Sequence, residues 1–538
     1  MKKIFSLILF FLTSLIYASS QPPKLVVQLI VDQLRGDLIN LHRNKFGTEG
    51  FNFLLSHSLD YRNAHQPQAN TVTCVGHANI ATGSYPALHG IIGNEWFDKT
   101  SGKTIACVDD SQSGILPTPR SKKILPGSSP HNLVASTLSD EIVLSQKGRA
   151  FAVSFKARAA ITMAGHAGKA FWFDKLNGGF ITSNFYYSAY PQWVADWNKG
   201  YEPQELTWSL MHSPGLYNFA KAPRFSNRYP DFGVSFPHKT GGAQSDHYFK
   251  LLSMTPFADE LTADFAINIL EKEQLGKSPD KTDYLSISFS ATDVIGHQFG
   301  PNSLESEDNL QRLDKTLARV LVAINKSVGL ENTLIVLTAD HGVSDSPAYL
   351  ASHKILGSQT LSLPQLRKSI EDALAQRYQL PAASLEAIAA PYIYLNHQFI
   401  IDHHLTVKEV STYLAEVLSK QPGMYKAYAL PLEIYGDWLS SAVNKMAFPE
   451  RSGDLYLVTL PYEALVNKNE KRVAHGSPWN YDSYIPLLFV SPVFKGQPIF
   501  RPVSATEIAP TISAILNIKQ PSASSQQPLM EVMQEFGK

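Results

Sequence analysis

Residues 24–31 have the sequence KLVVQLIV, a nearly continuous apolar run that is followed directly by Asp32. Three similar runs occur later in the chain: YLSISF at 284–289, TLIVL at 333–337 and YIPLLFV at 484–490. Near-continuous apolar strands are typical of a parallel sheet that is covered by helices on both faces. The four runs therefore predict an α/β fold with a mostly parallel central sheet and helices on both faces.

Acidic residues follow three of these predicted strands within a few positions. Asp32 comes directly after the first strand, Asp293 follows the second, and Asp340-His341 follow the third. In open parallel sheets, ligands bind beyond the carboxyl ends of the strands. A single Asp would mean little because many strands end at Asp, but three at one edge predict a functional site there.

Helical periodicity occurs between and after the strands. Residues 306–327 repeat apolar side chains at helical spacing, and Thr506 is a candidate N-cap for a helix over 506–516. Residues 366–378 and 407–418 are also predicted to be helical.

The chain is predicted to form one catalytic domain over residues 21–538. Two stretches, at about 170–280 and 350–470, are predicted to be cap insertions, and the first is rich in aromatic residues, Pro and Gly. A chain of 538 residues with a 44% hydrophobic and 17% charged composition is typical of a large globular protein.

The charge balance gives no indication of a polyanionic partner. Lys and Arg total 47, and Asp and Glu also total 47. This balance gives no electrostatic reason to expect nucleic acid or an anionic membrane. An anionic small substrate remains compatible, because the charge in a cleft can differ from the total.

The N-terminus has the features of an export signal over residues 1–20. A basic start at Lys2 and Lys3 precedes an apolar stretch over 4–17, and small residues precede Gln21. The apolar stretch is shorter than the roughly 20 residues of a spanning helix. We therefore expect cleavage and secretion across the inner membrane into the periplasm, with no membrane span afterwards. Cys74 and Cys107 can form a disulfide there, but the sequence does not decide their pairing.

Six residues have the types and spacing of metal ligands. Asp293 and His297 lie four apart, so a helix would place both on one face. For this pair alone, a helix N-cap and an unrelated histidine are an equally good interpretation. The other candidates are Asp32, Asp340, His341 and His475. Zinc prefers imidazole nitrogens and carboxylate oxygens in small tetrahedral sets, and these residues suffice for two sets.

Residues 70–94, NTVTCVGHANIATGSYPALHGIIGN, contain the candidate nucleophile. Thr71, Thr73 and Cys74 are all nucleophilic types, and a Thr hydroxyl needs a base or a metal to become reactive. Small and apolar residues after Thr73 predict that a helix begins there, where its N-terminus would favour a bound phosphate. His77 and His89 are predicted to be structural hydrogen-bonding residues.

Two cations form a candidate phosphate clamp. Residues 151–158, FAVSFKAR, predict a strand, on which Lys156 and Arg158 would face the same side. Arg offers a planar fork to phosphate and Lys a point charge. Taken alone, the pair is better explained as a solvated basic edge.

These motifs together resemble a known family. In chain order they are VDQLRGD, TVTCVGHANIATGSYPALHGIIGNEW, SFKAR, SATDVIGHQFGP, TADHG and AHGSPWNYDSYIPLLF. The combination resembles the threonine-nucleophile, phosphate-irrepressible alkaline phosphatases (PafA type) of the alkaline phosphatase superfamily. The resemblance runs from about residue 24 to about residue 529.

The resemblance implies an alkaline phosphatase-like fold and hydrolysis of small phosphate monoesters with two Zn²⁺ ions. It implies that Thr73 is the nucleophile and forms a covalent phosphothreonine. One zinc would be bound by Asp293, His297 and His475, and the other by Asp32, Asp340, His341 and the Thr73 oxygen. The phosphoryl oxygens would be held by Asn94, Lys156 and Arg158.

The residues also bear on other reactions of the superfamily. A sulfatase is disfavoured because no Cys/Ser-x-Pro-x-Arg signature follows Cys74. A phosphodiesterase or nucleotide pyrophosphatase is the main alternative. A monoester carries about two negative charges near neutral pH, so two adjacent cations favour it over a diester. A non-catalytic metal- or phosphate-binding protein is a minor alternative. Manganese or iron would also suit these ligand types, and the oligomeric state is not indicated.

Overall fold

The computed structural model describes residues 22–225, 232–355, 360–432, 436–467 and 473–537. The predicted signal peptide at residues 1–20 lies outside these residues. So do 226–231 of the first predicted insertion and 356–359, 433–435 and 468–470 of the second.

Nine strands of the described chain form the central sheet. In spatial order they are Gln497–Ile499, Ser58–Tyr61, Leu487–Val490, Thr333–Thr338, Leu25–Val31, Asp283–Phe289, Ala150–Ser154, Lys169–Phe173 and Phe180–Ile181. Most neighbouring pairs are parallel, so the prediction of a mostly parallel α/β sheet is confirmed.

The middle of the sheet is formed by three of the predicted strands. Leu25–Val31 pairs in parallel with Asp283–Phe289 on one side and with Thr333–Thr338 on the other. Every residue of these three strands is buried, so both faces of the sheet are covered there. Burial on both faces explains why apolar residues dominate the three runs, and the interspersed polar side chains Gln28, Ser286 and Ser288 are buried as well.

The fourth predicted strand is divided at Pro486. Tyr484–Ile485 pairs with Ala64–His65, whereas Leu487–Val490 joins the central sheet antiparallel to Thr333–Thr338. Proline cannot donate a ladder hydrogen bond, and its carbonyl here accepts from Thr338 Oγ1 at 2.9 Å. Because Leu487–Val490 runs antiparallel to Thr333–Thr338, it begins where that strand ends. The chain before Leu487, including His475, therefore lies at the carboxyl edge of the parallel strands.

The helices surround this sheet, and several of them match the predicted ones. The α-helices are Leu38–Leu41, Phe51–Ser56, Thr73–Thr82, Pro86–His89, Leu138–Leu144, Ala157–Ala164, Gln192–Gly200, Tyr248–Leu252, Phe257–Lys272, Ala291–Phe299, Leu304–Ser327, Pro347–Ser352, Leu363–Tyr378, His397–Asp402, Val407–Leu418, Trp438–Asn444, Asn480–Ser483, Ile508–Leu516 and Met530–Glu535. Short 3-10 helices cover Arg43–Lys45, Pro214–Leu216, Leu330–Asn332, Ala382–Ser384 and Ala505–Glu507.

The predicted N-cap at Thr506 is wrong. Ser504 accepts a hydrogen bond from Thr506 N and forms a capping box with Glu507, so a 3-10 turn precedes the α-helix Ile508–Leu516. The capping box provides acceptors for Ser504 N and Thr506 N, so the helical segment is capped at Ser504 and not at Thr506.

A second, smaller sheet has its own apolar core. Its strands, in spatial order, are Leu385–Ala389, Tyr392–Leu395, Leu455–Thr459 and Met424–Ala429. Helices Leu363–Tyr378 and Val407–Leu418 contribute Ile370, Leu374 and Leu414 to this core. Shorter strand pairs are Glu95–Asp98 with Lys103–Ala106, Thr207–Trp208 with His238–Lys239, Thr360–Ser362 with Ala464–Val466, and Ala64–His65 with Val503–Ser504.

Candidate active site

The register of the central strands brings three acidic residues to one edge. Val31 pairs with Phe289 and Ile30 with Thr338, so the three strands end at almost the same level. Asp32, Asp293 and Asp340 follow these ends, and all three are buried. The predicted gathering of the three carboxylates therefore exists in the folded chain.

One group of candidate metal ligands consists of Asp32, Asp340 and His341. His341 Nε2 lies 3.5 Å from Asp32 Oδ1 and 3.5 Å from Asp340 Oδ2. These two carboxylate oxygens are buried and have no hydrogen-bond partner among the described residues. Buried carboxylate oxygens without donors are costly unless a cation neutralises them, so this group is suited to a metal ion.

The second group contains Asp293, His297 and His475. Asp293 Oδ1 lies 3.2 Å from His297 Nε2 and 3.5 Å from His475 Nε2, and the two Nε2 atoms are 3.2 Å apart. His341 lies next to this second group. Asp293, His341 and His475 are close enough to form a candidate metal group of their own, and the ring centroids of His341 and His475 are 3.7 Å apart in a stacked arrangement. The two groups are therefore adjacent.

The hydrogen bonds of the three histidines set their tautomers. Each Nδ1 faces a carbonyl oxygen, which can only accept: Val473 O for His297, Gly342 O for His341 and Thr71 O for His475. In the neutral rings Nδ1 therefore carries the hydrogen, and the Nε2 lone pairs converge on the carboxylates. Convergent lone pairs repel each other unless a cation lies between them, and a histidine that donates its other N–H to a carbonyl is the usual metal-ligand arrangement.

Lys156 provides a positive charge within this acidic cluster. Its Nζ donates to Asp32 Oδ2 at 2.6 Å and to Asp293 Oδ2 at 2.5 Å, so it joins a carboxylate of each group. Burial raises the pKa of Asp32 to about 6, and the negative charge of Asp340 adds to this effect. Burial also disfavours ionisation of Asp293, but Lys156 and His297 hold the pKa of that carboxyl well below its usual range.

The candidate nucleophile begins a buried helix. Helix Thr73–Thr82 starts at Thr73, as predicted, and every one of its residues is buried. Thr73 Oγ1 lies 3.5 Å from His341 Nε2, the nitrogen nearest to the first group of carboxylates. Gly76 allows this approach, because a Cβ at that position would lie 2.0 Å from Asp340 O.

Asn94 stands next to the start of this helix. Its Oδ1 accepts a hydrogen bond from Cys74 N at 2.9 Å, which fixes the orientation of the amide. The Nδ2 group is therefore the face of Asn94 that remains for an oxygen acceptor. Asn94, Lys156 and Arg158 border one cavity of about 260 Å³.

Comparisons with known proteins agree with this geometry. Residues 26–478 match the family model of type I phosphodiesterase / nucleotide pyrophosphatase. Alkaline phosphatase PafA of Elizabethkingia meningoseptica is 33% identical over 537 residues, covering 95% of this chain and 94% of the relative. A crystal structure of wild-type PafA has a TM-score of 0.83 at 30% identity and covers 95% of this chain and 99% of that one.

The chain belongs to the type I phosphodiesterase / nucleotide pyrophosphatase family and, within it, to the PafA-type alkaline phosphatases.

Two further relatives have similar coverage. Alkaline phosphatase PhoV of Synechococcus elongatus is 32% identical, covering 93% of this chain and 91% of the relative. A Myroides odoratus protein named calcium-transporting ATPase is 31% identical, covering 96% and 95%. This chain is therefore an enzyme, an alkaline phosphatase, and the diesterase alternative is not favoured.

One local prediction about the site of this alkaline phosphatase is wrong. Residues 151–158 are not one strand: the strand Ala150–Ser154 ends, Lys156 precedes a helix, and Arg158 lies in the first turn of helix Ala157–Ala164. Lys156 and Arg158 therefore do not project as a strand pair. Three alanines between 157 and 160 favour the helix, and alternation over only a few residues does not outweigh them.

Gln33 is a site residue that the sequence reasoning missed. Its backbone is left-handed, with φ of 69°, which is uncommon for a residue with a side chain. In this conformation Gln33 N donates to Asp340 Oδ1 at 3.1 Å and Gln33 Nε2 donates to Asp293 Oδ1 at 2.7 Å. Gly296 leaves room for the amide, since a Cβ there would lie 2.0 Å from Gln33 Oε1. Gln33 thus orients one carboxylate of each group.

The two cysteines of the alkaline phosphatase are joined. A disulfide connects Cys74, beside the nucleophile, to Cys107. Cys107 N also donates to Asn94 O at 2.9 Å, so both cysteines hold Asn94. Only the folded structure decides this pairing, because the residues are separated by 33 positions.

His77 and His89 have the structural roles predicted for them. His77 bonds to Thr73 O and to Ser288 Oγ, and His89 Nε2 bonds to Asn79 Oδ1. Within the described ranges of this alkaline phosphatase, no helix is both long and apolar enough to span a bilayer.

Proposed function

We propose that this alkaline phosphatase hydrolyses small phosphate monoesters through a covalent phosphothreonine at Thr73, with two zinc ions. The observation that carries the proposal is the position of Thr73. Thr73 is the first residue of a buried helix, and its hydroxyl lies 3.5 Å from His341 Nε2, where the two groups of candidate ligands meet.

The residues fit two divalent cations. Asp293, His297 and His475 would hold one zinc ion, and Asp32, Asp340 and His341 would hold the other together with Thr73. Imidazole nitrogens and carboxylate oxygens suit zinc. When bound, the ions supply Lewis acidity that favours the alkoxide form of the nucleophile and stabilises the departing oxygen.

The chemistry of the chain itself is a double displacement. Thr73 Oγ loses its proton to solvent and attacks phosphorus, the ester P–O bond breaks, and the departing alcohol oxygen takes a proton from water. Water then attacks the phosphothreonine, which releases inorganic phosphate and restores the Thr73 hydroxyl. Gly76 and the buried helix hold the attacking oxygen in place, and such positioning is a major source of rate.

Asn94, Lys156 and Arg158 would hold the phosphoryl oxygens. Asn94 Nδ2 is left free to donate by the bond between its Oδ1 and Cys74 N. Arg158 Nε is buried without a hydrogen-bond partner in the described chain, as expected of a donor for an anion. A solved variant of PafA replaces a threonine, an asparagine, a lysine and an arginine with the same spacing as Thr73, Asn94, Lys156 and Arg158, which supports treating the four as one set.

We also propose export to the periplasm, on the basis of the signal-like residues 1–20. Residues at about 170–280 and 350–470 are proposed as cap insertions that shape the substrate cleft.

The test uses an aryl phosphate monoester and the matching diester with wild type, Thr73→Ala and Thr73→Ser, each with zinc and after chelation. We expect zinc-dependent monoester turnover far above diester turnover. Thr73→Ala should lose at least about 10³-fold, because no nucleophile remains, while Thr73→Ser retains a measurable rate. A phosphoryl group trapped on Thr73 at acidic pH would be detected by mass spectrometry.

Undiminished turnover by Thr73→Ala would refute the assignment of the nucleophile. A diester rate above the monoester rate would keep the site and overturn the substrate class.

A further inference from the structure

The cavity beside the proposed phosphoryl ligands extends beyond them. In addition to Asn94, Lys156 and Arg158, its lining includes Phe155, Trp172 and Lys175. Its volume of about 260 Å³ is close to the lower end of small-molecule sites, which begin near ~300 Å³. It therefore has room for a compact leaving group next to the phosphoryl position.

Lys175 brings a third cation to this cavity. The residue follows the strand Lys169–Phe173 and is exposed at the rim, and its ammonium lies over the ring of Phe155 at 5.5 Å from the centroid. Like charges are thus concentrated around one small space.

Two of these three charges are not paired with carboxylates in the described residues. Lys156 is paired with Asp32 and Asp293, but neither Arg158 nor Lys175 forms an ion pair with a carboxylate in the described residues. The adjacent Asp174 accepts hydrogen bonds from Leu176 N, Asn177 N and Asn177 Nδ2. Asp174 therefore stabilises the turn that carries Lys175 and, within the described residues, forms no ion pair with it.

We propose that Lys175 is a specificity-determining residue that favours monoesters whose leaving group carries a second anionic group, a carboxylate or another phosphate. One phosphoryl group satisfies Arg158 and Asn94, whereas an anion on the leaving group reaches Lys175 at the rim of the same cavity. The aromatic rings of Phe155 and Trp172 line the same cavity. This inference rests on the proposed monoesterase function.

The test compares 4-carboxyphenyl phosphate with 4-carbamoylphenyl phosphate, which has nearly the same size but no second charge. A third substrate, 1,4-phenylene bisphosphate, replaces the carboxylate by phosphate. The variants are Lys175→Met, which keeps the length of the chain without its charge, Lys175→Arg, which keeps the charge, and Lys199→Met as a control at an exposed lysine on helix Gln192–Gly200.

Wild type should prefer an anionic substrate over the carbamoyl substrate by about tenfold in kcat/KM, equivalent to ~1.4 kcal/mol. Lys175→Met should remove this preference through a higher KM while leaving turnover of the carbamoyl substrate within about twofold. Lys175→Arg and Lys199→Met should keep it. If wild type prefers only the bisphosphate, the second anionic group that Lys175 recognises is a phosphate. If it prefers both the carboxyphenyl and the bisphosphate substrates, Lys175 recognises either anion.

An unchanged preference in Lys175→Met, or an equal loss on all substrates, would overturn the role of Lys175 while wild-type turnover of the carbamoyl substrate upholds the monoesterase. Absence of turnover on every substrate by zinc-loaded wild type would overturn both.

Discussion

Replacement of Gly76 by alanine tests whether the nucleophile must lie directly against the backbone of Asp340. The added Cβ would lie 2.0 Å from Asp340 O, whereas ordinary contacts begin at 3.4 Å. The helix that begins with Thr73 would therefore have to move more than about 1 Å away from the backbone of Asp340, a proposed metal ligand. Asp340 cannot move away easily, because Gln33 N and its own chain neighbours hold its carboxylate.

Two opposing terms set the effect of Gly76→Ala on stability. Overpacking in a filled core costs about 1–3 kcal/mol, while alanine in a helix gains about 1 kcal/mol over glycine. We expect a net loss of about 0–2 kcal/mol and a melting temperature only a few degrees lower. A displacement of ~1 Å at a reacting group, in contrast, can cost about 10²-fold in rate.

The assay measures kcat/KM on an aryl phosphate at saturating zinc, together with thermal unfolding. Gly200→Ala is the matched control, because Gly200 is also helical but has no atom within 4 Å of the added Cβ. We expect a large loss of activity with a small loss of stability in Gly76→Ala alone. Activity within twofold of wild type would refute the reasoning that this contact positions Thr73.

Two further predictions concern groups that orient the metal ligands. Gln33→Asn should weaken zinc retention by about 10–100-fold in a chelator competition, because asparagine tolerates the left-handed backbone but is too short to keep the bond to Asp293; unchanged retention would contradict this role. Burial raises the pKa of Asp259 to about 7, and its Oδ1 accepts from Ser290 N, at the start of the helix that carries Asp293. Because the folded state holds this proton more tightly than the unfolded state, stability should decline as pH rises from about 4 to about 7. Asp259→Asn keeps the hydrogen-bond acceptor and removes the charge, so it should flatten this decline of stability with pH. In urea unfolding at pH 8 the variant should be roughly 2–4 kcal/mol more stable than wild type. Parallel curves of stability against pH for the two proteins would contradict the assignment.

Much of the site could be predicted because it follows from regular geometry. Asp32, Asp293 and Asp340 follow buried strands that are rich in apolar residues, and parallel strands bring their carboxyl ends to one edge. The spacing of Asp293 and His297 matches one helical turn, and both are on helix Ala291–Phe299. These residues needed no knowledge of distant contacts beyond the rule for parallel sheets.

Local patterns were less successful where one element changes into another. The alternation over 151–158 suggested a strand, but the chain turns into a helix after Phe155 because the sheet ends at that level. The apolar run over 484–490 has the pattern of one strand, although Pro486 divides it between two sheets. In both places the position of the sheet edge, which is a property of the whole fold, outweighed a short pattern.

The sequence by itself determined the α/β class, the residues at the strand ends and the helix that starts at Thr73, because strand and helix periods are local. Only the tertiary structure decided that Lys156 joins Asp32 to Asp293, that Gln33 orients two carboxylates and that Cys74 pairs with Cys107. These contacts join distant parts of the chain. Their geometry depends on how closely the packed elements approach one another, and no local propensity encodes that distance.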